Sequence, residues 1–466
     1  MTAISSLDSA ALADAYRRKA LSPVEVARDV LARIESARVY NAFLPVDADD
    51  VMAQARASER RWQAGTPRGA LDGVPATIKD NVGLRGQPTL RGSRTSALVP
   101  EKDDAPAVAR LREAGAVFVG KTCLPEYGWI GACHSPLTGI TRNPWNPAHT
   151  PGGSTGGGAV AALLNLGTLH LGTDGAGSLR IPASFTGVFG FKPTYGLVPA
   201  HPPSPFNVLA HQGPIARTVG DAARMLSVIA APDARDMSAW SRPGADFTAG
   251  LEFGVRGLKM AWSPRLGSAA ALDPEIEAIA ERASRLFVEQ GAGVEPADPD
   301  LRDAGAVIRT LWHAGARAIA DSVPAAQHAE MDQDFLALAE RGRAIPAARY
   351  IAAYSARTAL HVAMLGFHDR YDLLLSPTMP VTALEAGRVT PADGAYGDDW
   401  LNWSPFTYPF NLTQQPAASV PVGLSSKGLP IGLQIVGPRG ADALVLRAAR
   451  ALERALPFPR LAENNT

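Results

Sequence analysis

Residues 150–160 read TPGGSTGGGAV, a stretch in which five glycines surround a Ser–Thr pair. Glycine-rich loops often bring backbone N–H groups close to an anion, most commonly a phosphate. A P-loop requires a Lys after its last glycine, whereas Gly158 is followed here by Ala159 and Val160. The dinucleotide pattern G-x-G-x-x-G does not fit either, because the glycines are crowded and no strand-like run leads directly into them. The glycines therefore need a different explanation.

Length and composition limit the classes of function. The chain has 466 residues, with 45 basic and 45 acidic side chains, so net charge suggests neither a nucleic-acid nor a membrane partner. Cys123 and Cys133 belong to no C-x-x-C motif and have no nearby His pair, so no disulfide framework or zinc site is indicated. Without a signal-peptide pattern or an apolar run of about 20 residues, we expect a cytoplasmic protein with a small-molecule substrate.

The order of predicted elements indicates an α/β fold. Ser22, Pro23 and Glu25 form a capping-box pattern that begins an N-terminal helix. Short apolar runs bounded by Gly or Pro follow, separated by helix-like segments, as in a sheet covered by helices. The strand-like runs are GVPATIK, AVFVG, LHLGT, YDLLLSP, AASVPVG and GLPIGLQIVG.

Strand-like runs at both ends of the chain favour a single domain over residues 1–466. Within it we expect N-terminal helices in residues 1–66 and a catalytic core in residues 67–232. A mostly helical cover should follow in residues 233–368, and C-terminal strands with a closing helix in residues 369–466.

A second loop, LGTDGAGSLRIP at residues 171–182, has the composition that a serine nucleophile needs. The small residues Gly175, Ala176 and Gly177 allow their backbone N–H groups, with that of Ser178, to converge beside Ser178 Oγ. Such donors form an oxyanion hole for acyl transfer. Taken alone, Ser178 could equally be a helix N-cap and Ser154 a turn residue.

A serine nucleophile requires a base. His149 and His170 have no recognisable triad context, and the G-x-S-x-G motif is absent at Ser178. Lys79 ends an apolar, strand-like run, and a buried lysine with a lowered pKa can serve as base. A lysine at a strand end is more often solvated, so this assignment depends on the two serine loops.

The sequence resembles the amidase signature family from about residue 71 to the end, most weakly over residues 233–345. The motifs that carry the resemblance are GVPATIKDN, TPGGSTGGGAVAAL, LGTDGAGSLRIPASFTGVFGFKPTYGLVP, GPIARTVGDA, FNLTQQPAASVPVG and GLPIGLQIVG. It implies Ser178 as nucleophile, Ser154 as a bridging serine after a cis peptide, and Lys79 as base. It also implies an α/β/α sandwich around a large mixed sheet, no metal or cofactor, and in many members a homodimer.

Several further roles follow from the resemblance. Thr155 replaces a common second Ser and keeps a hydroxyl for Lys79, while Ala176 replaces a common Gly and adds a methyl group near the acyl site. Asp174 and Arg180 are expected to hold the nucleophile loop, although such a pair can also be a surface ion pair. The glycines at 156–158 are expected to let the following helix pack closely.

The acyl pocket is the least determined part of the site. The resemblance places Trp129, Ile130 and Cys133 in this region, and Phe206, Trp403 and Phe406 are apolar residues in Pro-rich loops. Each of them could equally be a core residue. With no charged pocket residue recognisable, we expect an uncharged aryl or alkyl amide as substrate, with esters or carbamates cleaved by the same route.

An alternative function is also compatible with these motifs. The A-type subunit of a glutamine-dependent amidotransferase uses the same triad to release ammonia for a tRNA-modifying partner. Such subunits carry an acidic residue for the glutamine amino group where this chain has Ser404. This difference favours a free-standing hydrolase.

Overall fold

The chain begins with a helical layer in the computed structural model, which describes residues 4–240, 244–268 and 271–461. Its helices are α1 (Ser9–Arg17), α2 (Pro23–Ser36) and α3 (Ala48–Gln63). The capping box of α2 is confirmed, since Ser22 Oγ accepts from Glu25 N and the Glu25 carboxylate accepts from Ser22 N. All three helices lie within residues 1–66, where N-terminal helices were expected.

A mixed sheet forms the centre of the molecule. The strands of the described residues are β1 (Pro75–Lys79), β2 (Val117–Thr122), β3 (His134–Ser135), β4 (Gly139–Ile140), β5 (Leu169–Asp174), β6 (Phe189–Lys192), β7 (His211–Ala216), β8 (Lys259–Trp262), β9 (Gly293–Pro296), β10 (Leu373–Pro377), β11 (Ala417–Leu424) and β12 (Pro430–Val436). Ten of them form the sheet in the order β2-β1-β5-β7-β6-β11-β12-β10-β8-β9, and β3 and β4 form a separate pair.

Strand direction explains where the polar residues of the core meet. β1 is parallel to both β2 and β5, whereas the strands from β5 through β7, β6, β11, β12 and β10 pair antiparallel. Every residue of β1 is buried, as expected for a strand covered on both faces. Because Ile78 pairs with Leu171, the carboxyl ends of β1 and β5 lie side by side and bring Lys79 next to Thr173.

Helices pack on this sheet and complete the expected α/β fold. Helix α5 (Gly156–Leu163) contacts β5 and β7, and helix α6 (Arg180–Thr186) contacts β6, β11 and β12. No helix of the described residues is long and apolar enough to cross a membrane. The remaining helices are α4 (Pro106–Glu113), α7 (Val219–Ile229), α8 (Pro274–Glu289), α9 (Ala304–Ser322), α10 (Gln333–Arg343), α11 (Ala347–His368), α12 (Pro409–Leu412) and α13 (Asp442–Ala455).

Residues 233–368 are more than a helical cover. They contain α8 to α11, as expected, and also β8 and β9, which extend the sheet at one edge. Both strands have only four residues, and β9 is largely exposed. Such short segments carry too few alternations of apolar and polar residues to be recognised in a sequence.

Candidate active site

Lys79 lies at the carboxyl end of β1 and is fully buried. Its Nζ lies 2.8 Å from Ser154 Oγ, 3.0 Å from Thr155 Oγ1 and 2.8 Å from Thr173 Oγ1. These three hydroxyl groups come from two chain segments, the glycine-rich loop and the end of β5. The structure thus brings Lys79 and Ser154 into direct contact, although they are 75 residues apart.

Burial lowers the pKa of Lys79 to about 7, because the charged ammonium loses its hydration. The negative charge of Asp174 acts in the opposite direction and is too weak to restore the usual value. The amine is therefore partly neutral near neutral pH, which is the form that can accept a proton.

Donor and acceptor can be assigned in the hydrogen bonds around Lys79. Thr155 Oγ1 donates to the Thr173 carbonyl oxygen at 3.1 Å, so its hydroxyl can only accept from Lys79. Gly172 makes this arrangement possible, since a Cβ at that position would lie 2.5 Å from Thr155 Cγ2. A neutral amine that donates to Thr155 and Thr173 directs its lone pair at Ser154.

The glycines of the 150–160 stretch allow close backbone packing. The Gly153–Ser154 peptide bond is cis, as the family resemblance implies. A Cβ on Gly153 would lie 2.0 Å from the Ala132 carbonyl oxygen, and one on Gly157 would lie 2.5 Å from the Ala42 carbonyl oxygen. Larger residues at these positions would displace the loop that holds Ser154.

Ser178 lines the same cavity as Ser154, but no hydrogen bond joins their two hydroxyl groups among the described residues. The backbone N–H groups of Gly175, Ala176 and Ser178 likewise have no acceptor in the described ranges. Gly177 differs from the expected oxyanion donors, because its N–H donates to Asp174 Oδ1 at 2.7 Å. The Gly177 N–H is thus committed to holding the loop, and three of the four expected donors remain free.

Asp174 and Arg180 form a buried ion pair at 3.0 Å, and neither is exposed. The surface-pair alternative is therefore wrong. Burial alone would raise the pKa of Asp174. The charge and hydrogen bonds of Arg180 outweigh burial and hold this pKa well below its usual range. Asp174 also accepts from Leu179 N at 3.1 Å, so this pair anchors both sides of Ser178.

A cavity of about 590 Å³ opens onto both serines. Of the six expected pocket residues, Phe206 lines it, stacked on Trp312 with ring centres 3.9 Å apart. The other five are core residues in this structure, and the Ala176 methyl group is also fully buried, away from the cavity lining. The five are Trp129, Ile130, Cys133, Trp403 and Phe406.

The aromatic side chains form successive layers, and this layering explains why expected pocket residues lie in the core and not on the cavity wall. Trp312 faces the cavity, Trp400 packs on Trp312 at 5.6 Å, and Trp403 packs on Trp400 at 6.1 Å. Trp129 supports Trp312 through its carbonyl oxygen, which accepts from Trp312 Nε1 at 3.2 Å. Which ring borders the cavity depends on the packing of α9, and local sequence carries no signal for it.

The cavity also has polar walls that the sequence did not reveal. Asn81 Oδ1, Gln212 Oε1 and His211 Nε2 are buried acceptors with no hydrogen-bond partner in the described residues, and all three residues line the cavity. Burial holds the pKa of His211 well below its usual value, so the imidazole is neutral. Charged residues also line the cavity, although none was recognisable in the sequence; they are Arg91, Arg235 and Asp236. Only Asn81 had a sequence signal, since it follows Lys79 by two residues.

Comparison with known proteins identifies the family of this chain. A family model described as Amidase matches residues 25–446. An acylamidase of Rhodococcus erythropolis is 35% identical over 94% of this chain and 93% of its own. The A-type subunit of glutamyl-tRNA(Gln) amidotransferase from Myxococcus xanthus (strain DK1622) is 38% identical over 94% and 95%, respectively. The crystal structure of a bacterial aryl acylamidase of the amidase signature family matches with a TM-score of 0.89 at 30% identity, over 97% of this chain and 96% of that one. The chain therefore belongs to the amidase signature family.

Proposed function

We propose that this protein hydrolyses the C–N bond of small carboxamides through an acyl-enzyme formed on Ser178. The observation that carries the proposal is the 2.8 Å contact between the buried Lys79 amine and Ser154 Oγ, on the cavity that Ser178 also lines. The acylamidase and aryl acylamidase relatives support the same chemistry.

In the first step Ser178 Oγ attacks the carbonyl carbon of the amide. The Ser178 proton passes to Ser154 Oγ while the Ser154 proton passes to the neutral Lys79 amine. The carbonyl electron pair moves onto oxygen, where the free N–H groups of Gly175, Ala176 and Ser178 stabilise the negative charge. This relay requires Ser178 Oγ to come within hydrogen-bond reach of Ser154 Oγ when substrate is bound, a contact that often tightens only then.

In the second step the tetrahedral intermediate collapses. Lys79 returns the proton through Ser154 to the leaving nitrogen, the C–N bond breaks, and the acyl group remains on Ser178. Water then attacks the ester by the same relay and releases the carboxylic acid. Esters and carbamates enter the same route, because only the leaving group differs.

The cavity supports an aryl or alkyl group near the scissile bond. Trp312 lies beside the nucleophile loop, since a Cβ on Gly175 would be 3.0 Å from Trp312 Cζ3. Phe206 stacks on the same indole, with ring centres 3.9 Å apart. A flat apolar group can pack against these rings while its carbonyl reaches Ser178.

The proposal can be tested with 4-nitroanilides of increasing acyl length, a nitrophenyl ester and a nitrophenyl carbamate. We expect turnover by the wild type and none by Ser178→Ala, with Ser355→Ala, an exposed serine on α11, as a matched control. A fluorophosphonate probe should add one adduct to the wild type. An adduct on a serine other than Ser178 would contradict the assignment.

The second candidate is the glutamine-dependent amidotransferase function, favoured by the 38% identity to the Myxococcus xanthus relative. Against this function, Ser404 is fully buried, and its hydroxyl donates within its own turn to the Leu401 carbonyl oxygen. Ammonia release from glutamine that is faster than aniline release from every anilide would reverse our preference.

A further inference from the structure

One corner of the cavity is formed by a loop between β1 and α4, with Arg91, Thr95 and Ser96 facing Tyr127. The Arg91 backbone fixes this corner, because its N–H donates to the Asp80 carbonyl oxygen at 3.0 Å and its carbonyl accepts from Tyr127 N at 2.7 Å. Arg91 also has a φ of +55°, in the left-handed region. The corner is therefore tied to the strand that carries Lys79.

The hydroxyl groups in this corner already donate their protons to other groups of the protein. Ser96 Oγ donates to the Leu90 carbonyl oxygen at 2.6 Å. Ser93 Oγ donates to the Glu126 carboxylate, so Thr95 Oγ1 donates to Ser93 Oγ and Tyr127 OH donates to Thr95 Oγ1. These hydroxyls present only lone pairs to the cavity.

Arg91 supplies the unused hydrogen-bond donors of the corner. Its guanidinium has five N–H groups, and within the described part of the chain it makes one hydrogen bond, from Nη1 to the Thr89 carbonyl oxygen at 3.0 Å. No carboxylate of the described residues lies within ion-pair distance of Arg91, and the nearby Asp80 is paired with Lys121 at 2.7 Å. Arg91 is thus a half-buried cation without a counter-ion on the wall of the catalytic cavity.

We propose that Arg91 binds a carboxylate of the substrate, at a point of the molecule distant from the scissile amide. The guanidinium fork matches a carboxylate with two parallel hydrogen bonds, and partial burial strengthens the pairing. The inference rests on the proposed amide hydrolysis and narrows its substrate class to amides of dicarboxylic acids or similar anionic amides.

The test compares two substrates of equal shape. Glutaric acid mono-4-nitroanilide carries the carboxylate, and 5-oxohexanoic acid 4-nitroanilide replaces it with a neutral methyl ketone. For the wild type we expect kcat/KM to be higher for the acid. Arg91→Gln should reduce the ratio of acid to ketone kcat/KM by at least about tenfold, mainly through KM. Arg94→Gln, an exposed arginine of the same loop, should keep the wild-type ratio.

A binding measurement separates this inference from the proposed function. Calorimetry of the same two compounds with Ser178→Ala should show tighter binding of the acid, and the preference should disappear when Arg91→Gln is added. If the wild type cleaves neither anilide, amide hydrolysis of this class fails, while the binding result still decides the role of Arg91.

Equal affinity of Ser178→Ala for acid and ketone, or an equal loss for both on Arg91→Gln, would overturn the inference. If Arg91→Gln does not fold, Arg91→Lys and a salt series decide, because a preference based on charge must fall as ionic strength rises.

Discussion

At the scale of single residues, the buried Lys79 amine controls the proposed chemistry. Since burial lowers its pKa to about 7 and only the neutral amine accepts a proton, kcat/KM for a 4-nitroanilide should rise with pH through about 7 and then level off. Below this pH the protonated amine cannot act as base. A pH–rate profile that falls across the same range would contradict the assignment of Lys79 as base.

The Thr155 hydroxyl also affects the proposed chemistry at this scale. It accepts an N–H of Lys79 and so directs the amine lone pair at Ser154. Thr155→Val keeps the shape and removes the hydroxyl, and we expect it to lower kcat about tenfold or more. Thr155→Ser restores the hydroxyl and should recover most of the rate. Steady-state kinetics with matched melting curves checks this, and a loss shared by the Ser variant would indicate a purely packing role.

At the scale of elements, α5 approaches the backbone of neighbouring segments through its glycines. A Cβ on Gly157 would lie 2.5 Å from the Ala42 carbonyl oxygen and 2.6 Å from Cys123 N, atoms that cannot rotate away. Gly157→Ala should therefore destabilise the protein by about 2 kcal/mol. Gly366→Ala in α11 meets no atom within 4 Å and should be neutral or stabilising by up to about 1 kcal/mol. Chemical denaturation of both variants tests whether steric contact of the added Cβ, rather than helix propensity, determines the change in the free energy of unfolding.

At the scale of the whole molecule, Arg180 joins the loop of Ser178 to the C-terminal part of the chain. Its Nη1 donates to the Thr407 carbonyl oxygen at 2.7 Å and to Gln434 Oε1 at 2.9 Å, and its Nη2 donates to Asn411 Oδ1 at 2.7 Å. These partners lie more than 220 residues away in sequence. The network connects the loop of Ser178 with α12 and β12.

Removing Arg180 would leave the buried Asp174 carboxylate without its ion-pair partner. Arg180→Met should therefore lower the free energy of unfolding by about 3 to 5 kcal/mol. Arg302→Met removes an exposed ion pair with Asp300 and should leave the melting temperature unchanged. Equal melting temperatures for the Arg180 and Arg302 variants would show that the buried network does not stabilise the fold.

Much of the fold could be predicted because its signals are local. The capping box of α2, the apolar runs of β1 and β5, and the glycine-rich turns each specify their own segment within about ten residues. The long ordered motifs containing Lys79, Ser154 and Ser178 pointed to one site, and Lys79 and Ser154 are in contact in the structure. The strands β8 and β9 were missed because four residues carry too little periodicity.

The composition of the cavity wall depends on tertiary packing, because its residues come from segments that meet only in the folded chain. Trp312 and Trp403 are indistinguishable as apolar aromatic residues in sequence, yet only Trp312 borders the cavity, since α9 places it in the first aromatic layer. Arg91 likewise keeps unused N–H donors, because no carboxylate in the described part of the chain lies within ion-pair distance of its guanidinium. Only the folded chain determines this. Local sequence thus specifies backbone conformation and candidate nucleophile and base, while long-range packing specifies which groups face the substrate.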